Sequence, residues 1–134
     1  IPFGKAKIRK KGKDVTILGK LRSVYTALEA SKTLEQRNIS CEVIDPRTIV
    51  PFDSKLLFNS VKRTGRLVIV DECTKTGGWA GEISALVQEN IFEYLKKPVV
   101  RVTAPDTPVP FAPKLENFFI PQAKDVVKEV LKLF

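Results

Sequence analysis

The chain has 134 residues, 43% of them apolar, which is enough for one domain with a core of its own. It carries no histidine, so the commonest general base and metal ligand is missing and Ser-His or Cys-His catalysis cannot be built from it. The formal charge of +8 is concentrated: Lys5, Lys7, Arg9, Lys10, Lys11 and Lys13 all precede the first acid, Asp14, and leave only +2 for the remainder.

A basic arm of this kind reads as a lysine-studded edge strand and turn. It lacks the interleaved aromatics of a nucleic-acid surface, so no nucleic-acid partner is expected. No apolar run approaches the ~20 residues of a membrane span and no signal-like start is present, so a soluble chain with no membrane partner is expected. Methionine is absent and the chain starts at Ile1, which reads as a domain cut from a longer protein. Cys41 and Cys73 lack C-x-x-C spacing and fit a reducing compartment, with Cys41 in the core and Cys73 more exposed.

In chain order, Ala6 to Arg9 is a short polar strand, closed by a Lys-Gly-Lys-Asp turn, and Val15 to Leu18 is a second, more buried one. Val24, Ala27, Leu28 and Leu34 recur at helical spacing, with Ser23 as N-cap and an end near Asn38. Cys41 to Ile44 is the third strand. Asp53 caps a short helix with Leu56, Leu57 and Val61 inward, and Gly65 takes the left-handed position after it. Leu67 to Val70 is the most apolar strand and belongs near the sheet centre. A helix opening at Gly77-Gly78 carries Ile83, Leu86, Val87, Ile91 and Leu95 on one face, and Val99 to Val102 is the fifth strand. Prolines in 104–113 predict a stiff extended loop. A last helix from about Gln122 bears Val126, Val127, Val130, Leu131 and Phe134 as its apolar stripe. Strands alternating with helices predict an open, mostly parallel sheet, whose carboxyl edge is where ligands or partners bind.

That edge gathers the candidate residues. Asp45, Asp71, Glu72 and Asp106 converge there if their strands are neighbours, either to hold a metal or small molecule in the manner of a flavodoxin-like module, or to cap helices and tie loops. Thr76-Gly77-Gly78-Trp79-Ala80-Gly81-Glu82 lacks both phosphate-loop patterns. Its small residues suit a helix that approaches another surface closely, with Trp79, Gly77, Gly78 and Gly81 as interface candidates.

Four pieces together resemble the C-terminal domain of the beta subunit of thiamin-diphosphate-dependent 2-oxo acid dehydrogenases, a transketolase C-terminal-like fold. They are Val43-Ile44-Asp45-Pro46-Arg47-Thr48, Thr64-Gly65-Arg66-Leu67-Val68-Ile69-Val70-Asp71-Glu72, Gly77-Gly78-Trp79-Ala80-Gly81-Glu82-Ile83 and Arg101-Val102-Thr103-Ala104-Pro105-Asp106-Thr107-Pro108. The resemblance spans 1–134 as one domain. It implies a three-layer α/β/α sandwich whose five-stranded sheet runs 1-3-2-4-5 with strand 1 antiparallel. It also implies a whole enzyme, of the pyruvate, branched-chain or acetoin type, that decarboxylates a 2-oxo acid on thiamin diphosphate and Mg²⁺ and passes the acyl group to lipoamide. Such an enzyme works in bacterial or archaeal cytoplasm or in the mitochondrial matrix.

No catalytic, cofactor-binding or metal-binding residue of that family maps onto this chain, so the isolated domain is expected to be inactive. The resemblance implies subunit assembly instead, with an alpha subunit and a second beta subunit. It further implies docking of the lipoyl acyltransferase, for which Phe134, Glu93 and Glu129 are candidates. Three departures stand out: Leu21-Arg22 where the family commonly has a Gly before Arg, Pro46 for a common Leu, and Cys73-Thr74 for a usual Ala-Pro. The first denies the loop after strand two glycine's backbone freedom.

Overall fold

The computed structural model describes all residues 1–134. The strands are β1 (Lys7–Lys10), β2 (Val15–Gly19), β3 (Cys41–Asp45), β4 (Leu67–Thr74) and β5 (Val100–Ala104). The helices are α1 (Arg22–Glu35), α2 (Ser54–Thr64), α3 (Trp79–Ile91), α4 (Pro113–Phe119) and α5 (Ala123–Leu131). One five-stranded sheet has the order β1-β3-β2-β4-β5. β1 runs antiparallel to β3, and every other pairing is parallel. Order and polarity are those expected.

Alternation along each strand divides the core in two. Val15, Ile17, Val43, Val68 and Val70 pack with Ala27 and Leu34 of α1 and with Val126 and Val130 of α5. Leu18, Ile44, Leu67 and Ile69 face the other way, onto Leu57 and Val61 of α2 and Ile83 and Val87 of α3. Both faces of the sheet are covered, which is why β4 reads as an uninterrupted apolar run rather than an alternating one. The polar exception in β2 is matched across the layer. Buried Thr16 lies 2.7 Å from Ser60 Oγ and 2.8 Å from Thr64 Oγ1, so α2 satisfies the hydroxyl that the strand buries.

Helix ends follow local chemistry. Asp53 caps α2 by accepting the Leu56 N–H at 3.1 Å, and Gly65 closes it at φ 70 with its N–H on Val61 O. Gln122 and Asp125 form a reciprocal capping box at the start of α5.

Several local expectations need correction. Ser23 does not cap α1: it is buried inside the first turn, and Leu21 occupies the cap position. α1 stops at Glu35, where a turn leads to Asn38 at φ 60. β4 continues to Thr74, so Asp71 is a buried strand residue rather than the strand's end. Leu95 falls beyond α3, after a 3-10 turn at Phe92–Tyr94. The proline-rich segment is irregular only to Ala112, because Pro113 sits where a helix needs no N–H and starts α4. Phe134 lies past α5 and is exposed, while its neighbour Leu133 is buried in its place.

Candidate functional site at the carboxyl edge of the sheet

β2 and β4 are adjacent, and the chain leaves them in opposite directions, β2 through α1 to β3 and β4 through α3 to β5. The crevice outside this switch point is where an open α/β sheet places its functional groups. Lys20 follows β2 there and Asp71 faces it from β4, with Lys20 Nζ 2.8 Å from Asp71 Oδ1. Asp71 also accepts the N–H groups of Cys73 at 3.1 Å and of Ala80 at 3.3 Å, which ties the strand to the first turn of α3. Cys73 Sγ lies 3.8 Å from the same ammonium. The Trp79 ring lies 5.6 Å from Lys20 Nζ and meets Phe52 edge-on, with ring centroids 6.2 Å apart.

Burial is the largest single influence and works against the charge of both partners, but their hydrogen bond, their mutual attraction and the contacts with Cys73 together outweigh it. The Lys20 pKa is raised and that of Asp71 lowered, Cys73 contributing to both shifts. Both groups are therefore charged at neutral pH. A protonated, paired lysine is neither a base nor a nucleophile, so the pair acts as a fixed clamp on two loops and on Trp79. Burial pushes the Cys41 thiol, inside the sheet, up to about 12.

The acids do not converge. Asp45 pairs with Arg9 at 3.3 Å and accepts the Arg47 N–H. Asp106 accepts the Thr76 N–H at 2.9 Å and its hydroxyl at 2.5 Å, and this lowers its pKa. No group of three His, Cys, Asp or Glu residues is placed to hold a metal. The flavodoxin-like reading through Asp45, Asp71 and Asp106 loses its geometric basis. The same donor set does not fit a Mg²⁺-diphosphate group, since each carboxylate is spent on a different partner.

The interface candidates fall into two places. Trp79 is half-buried at the carboxyl edge. The close approach expected of the glycines is made within this chain: a Cβ on Gly78 would lie 2.3 Å from Thr74 O. Gly77 has φ 71 and open space around it, and Gly81 makes no contact that a Cβ would disturb. Phe134 lies at the amino edge, its ring 4.2 Å from the Arg66 guanidinium carbon, while Arg66 also donates to Leu133 O at 3.0 Å. Glu129 pairs with Lys132 at 3.0 Å, and Glu93 is exposed in the turn after α3.

Lys20, which completes the clamp, gives no sequence signal: it is one of 23 basic residues. Its position straight after a buried strand at the switch point is the only pointer. Leu21, next to it, has φ 52 and ψ −124, a backbone setting that favours glycine. The loop thus adopts the glycine-like conformation without the glycine. A second non-glycine residue of positive φ, Arg47 at φ 60, borders the same cleft of about 490 Å³.

The family described as "Transketolase, C-terminal domain" matches residues 4–126. The chain belongs to that family. It is 44% identical over 133 residues to the acetoin:2,6-dichlorophenolindophenol oxidoreductase beta subunit of Bacillus subtilis (strain 168), covering 99% of this chain and 39% of that one. It is 49% identical over 122 residues to the mitochondrial 2-oxoisovalerate dehydrogenase beta subunit of Dictyostelium discoideum, covering 90% and 32%. Among solved structures it resembles a split gene transketolase described as an inactive beta4 tetramer, with a TM-score of 0.85, 32% identity, and 99% of this chain and 42% of that one covered. The chain therefore spans less than half the length of these relatives. No helix is long and apolar enough to cross a membrane.

Proposed function

We propose that this chain is the subunit-assembly and partner-docking domain of the beta subunit of a thiamin-diphosphate-dependent 2-oxo acid dehydrogenase. The whole enzyme would oxidatively decarboxylate a 2-oxo acid, or process acetoin, and pass the acyl group to lipoamide on an acyltransferase. One observation carries the reading. Around the carboxyl edge Asp45, Asp71 and Asp106 are each spent on holding loops, while Ile1, Phe3 and Leu21 are left exposed around the cleft that Asp45 borders. Such an edge has apolar surface to cover, and these three aspartates are already engaged in holding the fold, Glu72 being left half-exposed beside them. Names of the similar proteins supply the class of enzyme, since they are beta subunits acting on acetoin or 2-oxoisovalerate. The beta4 tetramer among the similar structures supports contact between beta chains.

The partners are an alpha subunit, a second beta subunit and the acyltransferase. In the full enzyme, Trp79→Ala is expected to weaken subunit assembly by roughly 2 kcal/mol or more, the scale of a central aromatic anchor. Sedimentation at low concentration measures it, and an unchanged profile counts against Trp79 as an anchor. Calorimetry of the 134-residue chain with thiamin diphosphate and Mg²⁺ is expected to give no stoichiometric binding. A micromolar, one-to-one isotherm would overturn the assignment of this domain as non-catalytic.

A further inference from the structure

The two outer strands of the sheet are treated differently. β1 is blunted: Lys7, Arg9 and Lys10 stud it, and its register with β3 shifts between Ile8 and Lys10. Charges and bulges of this kind keep an open edge from pairing with another chain. β5 is less protected: the register shift in its pairing with β4, between Asp71 and Thr74, falls on β4 and leaves β5 itself without a bulge. It carries one charged residue, Arg101, contains no proline, and pairs with β4 on one side only. Along its other side runs a groove of about 580 Å³, lined by every residue from Val99 to Asp106.

The charges around this groove are balanced, in a chain whose net charge is +8. Lys75, Arg101 and Lys128 face Asp106, Asp125 and Glu129. They are also ordered along the strand. Lys75 and Asp106 lie at its carboxyl end. Glu129 lies toward its amino end, because α5 runs back to the amino edge, where Arg66 meets Leu133. A two-fold axis through the middle of β5 would set one end of the groove against the other end of its copy, Lys75 against the partner copy's acid and Asp106 against its Lys128. A groove carrying both signs in this order is complementary to itself.

We propose that β5 is a self-pairing edge, which joins a second copy of this chain in an antiparallel strand pair centred on Val102. Val100 then stands opposite Ala104 of the other copy and Arg101 opposite Thr103, and the two five-stranded sheets become continuous. Backbone hydrogen bonds supply the attraction, the crossed charge pairs fix the register, and Phe118, 80% exposed at the rim, adds apolar area. This deepens the assembly reading and rests on it.

The 134-residue chain suits the test, since it holds both halves of its core and leaves no buried side-chain polar atom without a partner. Sedimentation over a range of concentrations is expected to show a reversible dimer. Lys75→Glu or Glu129→Lys alone would weaken it roughly tenfold or more by setting like charges together, and the double variant would restore it. Amide exchange across 100–104 would slow with rising concentration while 7–10 stays unchanged. A monomer at every concentration overturns the pairing together with self-association of this domain. A dimer whose protection falls on another surface, or whose single charge reversals are silent, overturns the β5 edge alone and leaves assembly standing.

Discussion

Asp71, inside β4 after its apolar run, and Asp106, just past β5, each accept a backbone N–H and each have a lowered pKa, yet they differ in how much of the fold depends on them. Asp71 is wholly buried and holds Lys20, Cys73 and Ala80 together at the sheet's switch point. Asp106 is exposed and holds only Thr76. The same motif is a clamp in one place and a loop tie in the other, and solvent access decides which.

The sharpest break in that comparison is Asp71→Ala, which would strand the Lys20 ammonium with its side chain only 14% exposed. Losing one partner of a buried pair costs about 3–5 kcal/mol. Urea denaturation is expected to show a loss on this scale, and a change below ~1 kcal/mol would remove the clamp from the argument. Replacing both members, Lys20→Met with Asp71→Leu, is expected to recover most of it, because an apolar pair pays no desolvation penalty. The pH dependence follows from the two directions of shift. Asp71 is depressed, so its contribution is complete above the ordinary carboxylate value of ~4 and is lost as pH falls through the lower folded value. Lys20 is raised, so its contribution is complete below ~10.4 and is lost as pH climbs through the higher folded value. Asp71→Asn should flatten the acid limb of the stability profile.

A smaller effect, of opposite sign, is expected next to the clamp. Leu21 has φ 52 and its side chain is 78% exposed, so it pays for an unfavourable backbone without burying its apolar surface. Leu21→Gly should stabilise the chain by about 1 kcal/mol, the relief of strain less the extra entropy of an unfolded glycine. A higher thermal midpoint bears this out. A lower one would mean that Leu21 is held by contacts absent from its solvent-facing surroundings.

Much of this was legible from residues alone. Uninterrupted apolar strands, Asp53 three residues before Leu56, and Gly65 after α2 carry their structure in local chemistry, and the resemblance supplied the strand order. α4 was hidden because Pro113 breaks a helix in its middle but suits its start. Asp71 read as the end of a strand because acids are rare inside one, and its burial depends on the ammonium of Lys20, 51 positions earlier, together with the N–H groups of Cys73 and Ala80. No local pattern announces a pair formed across a switch point. The balance of charge along β5 was equally invisible, since it joins Lys75, Arg101 and Glu129 from separate elements.

Asp106→Ala is the mildest test and the one that isolates solvent access. Its carboxylate accepts from the Thr76 hydroxyl and N–H much as Asp71 accepts from Cys73 and Ala80, so hydrogen-bond geometry alone would predict similar losses. Water replaces an exposed acceptor at little cost, and salt screens its charge. The denaturation midpoint of the variant should therefore stay within error of the parent at neutral pH. Loss of the tie should show locally instead, as faster amide exchange at Thr76 and its neighbours in the turn before α3. A global loss approaching that of Asp71→Ala would mean that the β4–α3 turn is as integral to the fold as the clamp, and that burial does not separate the two acids.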